Sequence, residues 1–137
     1  MSLLDVFDIA GSAMSAQSVR LNVTSSNLAN AQSAGGTEDS TYRARNPVFS
    51  AVIQSLHGDM ASVGVKVDGV YESTAKLKQE YQPNNPLADK DGYVYLPNVN
   101  MVDEMANMIS ASRSYQSNVE VLNTSKQMLL ATLRMGQ

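Results

Sequence analysis

His57 is the one histidine in the chain, and no cysteine accompanies it. A thiolate nucleophile, a disulfide framework and a cysteine-based metal site are therefore excluded. A serine–histidine–aspartate arrangement on a strand-to-helix elbow would need Gly-x-Ser-x-Gly, and that segment does not occur. His57, within Gln54-Ser55-Leu56-His57-Gly58-Asp59, reads as a surface residue ending a short helix that begins near Asn46-Pro47. Asp89-Lys90-Asp91-Gly92 has the texture of a calcium loop. With Gly92 at the sixth loop position, however, Leu87 and Asn98 fall where an acid and a bidentate Glu are required. The segment reads instead as a turn into a strand. Met101, Met105 and Met108 have the softness of an adaptable binding groove, but their helical spacing reads as core or subunit interface. Arg113 lies between Glu104 and Glu120 without a close acid, so it is either solvated or paired across an interface. Gly35-Gly36 is isolated and forms no phosphate-binding loop. No catalytic residue, metal site or cofactor site is expected.

The totals narrow the classes further. A chain of 137 residues fits one ordinary domain, and 43% hydrophobic with 17% charged residues is not the composition of a disordered tail. The net charge is −3, and the densest basic spot is Arg43 with Arg45, so no concentrated positive face is expected for nucleic acid. The first residues lack a basic n-region and carry Asp5 and Asp8, which is unlike a Sec signal. The apolar run Met128 to Ala131 is far short of the ~20 residues of a membrane span. Membrane insertion is not expected.

Three segments must position whatever work the chain does. Residues 1–31 read as a helix, with Ser2 and Asp5 spaced as a capping box. Its seam alternates steps of four and three through Leu3, Phe7, Ala10, Met14, Gln17, Leu21, Thr24 and Leu28. Residues 32–98 change texture. Gln32 to Ser40 reads as a loop, and Val63, Val65 and Val67 alternate as a strand. Asp68-Gly69 suggests a hairpin turn into Val70-Tyr71, and Tyr93 to Leu96 another short strand. Residues 99–137 read as the longest helix, N-capped by Asn100 with Asp103 and Glu104 in its first turn. Its seam runs Met101, Met105, Met108, Ser112, Tyr115, Val119, Leu122, Lys126, Leu129, Leu133. Arg134 and Gly136 mark its end. The expected fold is mainly α with a small β insert. The long N- and C-terminal helices pair as a coiled-coil-like hairpin around a central β or extended segment.

Both helices are rich in serine, asparagine and threonine, which favour caps and turns over helix interiors. Each also carries apolar residues off its seam: Leu4, Ile9, Ala13, Ala16 and Val23 on the first, and Val102, Ile109, Val121, Met128 and Leu130 on the last. Helices with weak propensity and two apolar sides need more than one neighbour. Pattern alone leaves two readings, a subunit of an assembly and a cytosolic helical adaptor or chaperone that binds partner helices.

Ser25-Ser26-Asn27-Leu28-Ala29-Asn30 resembles the N-terminal signature of the flagellar axial proteins, the rod, hook and hook-associated subunits. Tyr42-Arg43-Ala44-Arg45-Asn46-Pro47-Val48-Phe49 resembles the family's Tyr-basic segment ending in Pro-x-Phe. The block Asn85-Pro86-Leu87-Ala88-Asp89-Lys90-Asp91-Gly92-Tyr93-Val94 leads to Pro97-Asn98-Val99-Asn100 and then Glu104 to Tyr115, with Asn118 and Lys126 in register. The likeness is to the smaller proximal rod subunits. Asn85 departs from a frequent His, and Ala31-Gln32-Ser33 from a common Thr. The resemblance implies a structural subunit of the periplasm-spanning rod of the bacterial flagellum basal body, forming part of its drive shaft and export channel. It implies partners: other rod proteins, proximal and distal, the basal-body base, copies of itself and, in transit, the flagellar type III export apparatus. The residues expected to meet neighbours are Leu3, Phe7, Met14, Leu21, Leu28, Ala29 and Asn30 on the first helix. On the last they are Met101, Met105, Met108, Ile109, Tyr115, Val119, Leu122, Leu129 and Leu133.

Overall fold

The structure is a computed structural model that describes residues 3–54 and 62–135. The elements run α1 (Leu3–Asn30), β1 (Arg45–Gln54), β2 (Ser62–Glu72), β3 (Lys78–Tyr81), β4 (Tyr93–Leu96) and α2 (Met101–Met135). The Ser2–Asp5 capping box, His57 and Gly136 lie outside the described residues, at least in part.

The helices lie antiparallel. Arg20 Nη2 donates to Asn107 Oδ1 at 2.8 Å, and Gln32, just past α1, donates to the Met101 sulfur at 3.8 Å. The end of α1 thus meets the start of α2. Asn100 caps α2 as expected: its Oδ1 accepts the Val102 N–H at 3.1 Å, and its Nδ2 is held by Asp103 at 2.7 Å. The side chains buried on α2 are Glu104, Ala111 and Ser125, one and two heptads apart, with Asn118 half-buried between. This stripe is one residue removed from the positions of Met105, Ser112, Val119 and Lys126 in the expected seam. On α1, which β1 and β2 also cover, the buried residues are Ala10, Ala16, Thr24 and Asn27. On α1, Ala10 and Thr24 of the coiled-coil seam predicted from apolar spacing are buried, whereas on α2 the predicted seam is not the line of deepest burial. Met108, Leu122 and Leu129 flank that line, half-buried.

Two strand readings need correction. The short helix expected from Asn46-Pro47 is strand β1, because Val48, Phe49, Val52 and Ile53 pair with Gly69, Val67, Gly64 and Val63 of β2 and their types favour a pleated surface. Asp68-Gly69 makes no hairpin turn. β2 continues through it, and the register shift between Val48 and Phe49 leaves Asp68 as a bulge. The β4 strand was legible, whereas its partner β3 was not. At the tip of that second sheet Asp89 Oδ1 accepts the N–H groups of Asp91 and Tyr93, at 2.9 and 2.8 Å. Gly92 follows at φ 83°, so the acidic segment is a turn.

The β1–β2 ribbon runs back along α1. It is fastened near Asn27 and again at Ser12, whose Oγ accepts the Val65 N–H at 3.2 Å while donating to the Ile9 carbonyl at 2.8 Å. α1 is thus covered on two sides, by the ribbon and by α2.

Candidate assembly interface

Two neighbouring regions define what this chain can do. The first is a joint where the end of α1, the loop after it, β4 and the start of α2 converge. Val94, Pro97, Val99 and Ala44 are buried there. Asn27, 1% exposed, is its centre. Its Nδ2 donates to the Arg45 carbonyl at 2.8 Å, and its Oδ1 accepts from the Arg45 N–H and the Tyr42 hydroxyl, both at 2.9 Å. Every strong hydrogen-bonding direction of that amide but one N–H is used, which is what burial of an amide requires. Arg45 then reaches Glu72, its cross-strand partner, at 3.1 Å and stacks 5.5 Å from the Tyr42 ring centre.

A second amide mirrors the first. Asn98 Oδ1 accepts the Ala44 N–H at 2.7 Å, and its Nδ2 donates to the Ala75 carbonyl at 2.8 Å. Ser73 donates to the Ala44 carbonyl at 2.7 Å. Gly35 and Tyr95 exchange both backbone bonds, at 2.8 and 3.0 Å. A Cβ on Gly35 would run into the Thr41 side chain, so any larger residue there must displace Thr41.

Of the triplet that ends α1, Asn30 donates from Nδ2 to the Ser26 carbonyl at 2.9 Å, Leu28 is half-buried and Ala29 exposed. Asn27, one residue earlier, is the functional position that pattern reading missed. An asparagine inside the last turn of a helix, where helix propensity disfavours it, was the available signal.

The second region is the outer surface of the helices. Phe7, Met14 and Leu21 are half-buried, and no large apolar side chain of α1 is exposed among the described residues, which exclude the side chain of Leu3. α2 is the reverse. Met101, Met105, Ile109, Tyr115 and Leu133 are exposed, Ile109 by 54% and Leu133 by 61%. Val119, like Met108, Leu122 and Leu129, is half-buried. The expected set therefore divides: part is covered within the chain, and part lies bare on α2. Arg113 is exposed, with no ion pair among the described residues. No group of three or more His, Cys, Asp or Glu able to hold a metal occurs among the described residues, and no described helix is long and apolar enough to cross a membrane.

A built joint beside a bare apolar helix is the design of a building block, and the comparisons give the class. Residues 7–35 match the family model of flagella basal body rod proteins, and residues 90–135 that of the flagellar basal body rod FlgEFG protein C-terminal region. Three relatives align over the whole of both chains, each a flagellar basal-body rod protein FlgC. They are 57% identical in Salmonella typhimurium, 58% in Escherichia coli O157:H7 and 53% in Yersinia enterocolitica. The chain belongs to the FlgC family of flagellar basal-body rod proteins, structural subunits of the rod in the flagellar basal body.

Proposed function

We propose that this subunit assembles helically in the proximal rod without catalysis, with residues 1–31 and 99–137 as an inner helical layer and 32–98 as an outer element. The bare face of α2 carries the reading. Met101, Met105 and Ile109 recur at steps of four and lie exposed on a helix touched by α1 alone among the named elements. A run of large apolar side chains open to water is stabilised when a neighbour covers it. The neighbours are copies of this chain and other proximal and distal rod proteins, with the basal-body base at one end. The chain reaches them unfolded through the flagellar type III apparatus, and its weak helix propensity favours ordering on assembly.

The test is the pair of substitutions Met105→Asp and Ile109→Asp. Both side chains are exposed in the single chain, so the purified variants keep wild-type circular dichroism and unfolding midpoints. Rod assembly and swimming are lost while export continues. Normal swimming in both variants would remove the α2 face from the interface.

A further inference from the structure

The β1–β2 ribbon has an edge whose direction can be read from two contacts. In an antiparallel pair, alternate residues turn their N–H and C=O toward the partner strand, and the others turn them away. Both backbone groups of Arg45 are held by Asn27, and the Val65 N–H is held by Ser12, so Arg45 and Val65 turn outward. The register places Val65 opposite Ala51, six residues from Arg45, so the two fixings agree. The bulge lies in β2, and β1 alternates without interruption: Arg45, Pro47, Phe49, Ala51 and Ile53 share the outer edge.

The end of this edge nearest the joint is closed. Asn27 occupies Arg45, and Pro47 has no N–H to offer. Among the described residues the far end is open. The sheet has no third strand among the described residues, and Phe49, Ala51 and Ile53 are exposed. Sheets ordinarily blunt such edges with charge, especially lysine. From Asn46 to Gln54 there is no charged residue.

We propose that this open edge pairs with the same edge of a second copy, antiparallel and centred on Ala51. Ala51 then faces the second copy's Ala51, and Phe49 faces the second copy's Ile53. No charges oppose, and the aromatic-to-β-branched pairs are of the kind that stabilise cross-strand contacts. The three outward residues of each copy exchange their N–H and C=O groups, and a two-stranded ribbon, marginal alone, becomes a four-stranded sheet. The contact is self-complementary and closes at two chains. It hides the edge of the free subunit and is separate from the α2 face.

The chain has no cysteine, so Ala51→Cys in the full-length protein introduces a single thiol. Opposed Cα atoms in a hydrogen-bonded antiparallel pair are about 5.5 Å apart, within disulfide reach. Mild oxidation should give a covalent dimer at least about tenfold faster than with Ile53→Cys, which is well exposed but offset from its own copy. Ala51→Pro removes an outward N–H without touching the β1–β2 ladder, and should convert the sedimenting dimer to monomer with unchanged circular dichroism. A wild-type chain that stays monomeric at high micromolar concentration, or equal cross-linking by the two cysteine variants, overturns the proposal. If Ala51→Pro fails to fold, the contrast between the cysteines decides alone.

Discussion

The joint and the outer face of α2 lie within one short chain and follow opposite rules. At the joint buried amide and backbone groups sit among apolar ones, and the polar groups of Asn27, Asn98 and Ala44 are matched to partners inside the chain. On α2 large apolar side chains such as Met105, Ile109 and Leu133 stand exposed among polar ones. The one buried side-chain atom left without a partner among the described residues, Gln17 Oε1, is also on the helices, on α1. The difference teaches where specificity and adhesion are placed. Hydrogen bonds demand geometry, so they fix the angle at which helices and ribbon leave the joint. Apolar contact is non-directional, so it suits the surface proposed to receive neighbours.

Changes at the two regions should separate stability from assembly. Asn27→Ala should have the largest effect on stability, because it strands both backbone groups of Arg45 and leaves the Tyr42 hydroxyl with Ser26 Oγ alone, at 3.3 Å. The loss should be about 2–4 kcal/mol, read from urea unfolding. Gly35→Ala comes next, at about 1–3 kcal/mol, since the new methyl must displace Thr41. Its signature is a lower thermal midpoint that Gly36→Ala, which meets only the Leu87 carbonyl at 3.1 Å, reproduces weakly. Asn100→Ala removes the α2 cap and should cost about 1 kcal/mol, measured in the same way. Ile109→Asp should shift unfolding least, by no more than about 0.5 kcal/mol, as a surface change does. Yet it should stop swimming, whereas Asn100→Ala should only slow it. If Ile109→Asp unfolds the chain as Asn27→Ala does, the two regions are not distinct and the division of labour fails.

The helices were legible because apolar spacing and caps agree over some thirty residues: the Asn100 cap stands where the pattern put it, and α1 ends at Asn30, one residue short of the expected range. The facing stripe was not legible, because Glu104, Ala111 and Ser125 are small or polar and periodicity counts hydrophobes. β1 was mistaken for a helix because its register partners lie across the unpatterned segment 55–61 and no local alternation marks Asn46 to Ser50. β3, as Lys78-Gln79-Glu80-Tyr81, is exposed throughout and owes its strand to β4 rather than to its own residues. Asn27 and Asn98 stand within the family-like blocks, but their work is a three-dimensional one. Asn27 reaches Arg45, 18 residues away in sequence, and Asn98 reaches Ala44, 54 residues away.

The ribbon's two fastenings on α1 have a mechanical meaning. A beam pinned at one point pivots, and a beam pinned at two points does not. Asn27 and Ser12 stand fifteen residues apart on α1, a span of about 22 Å. A sideways load on the ribbon is therefore resolved into a couple along the helix instead of a rotation about the joint. In a shaft that turns, that is the difference between a vane that transmits torque and one that swivels.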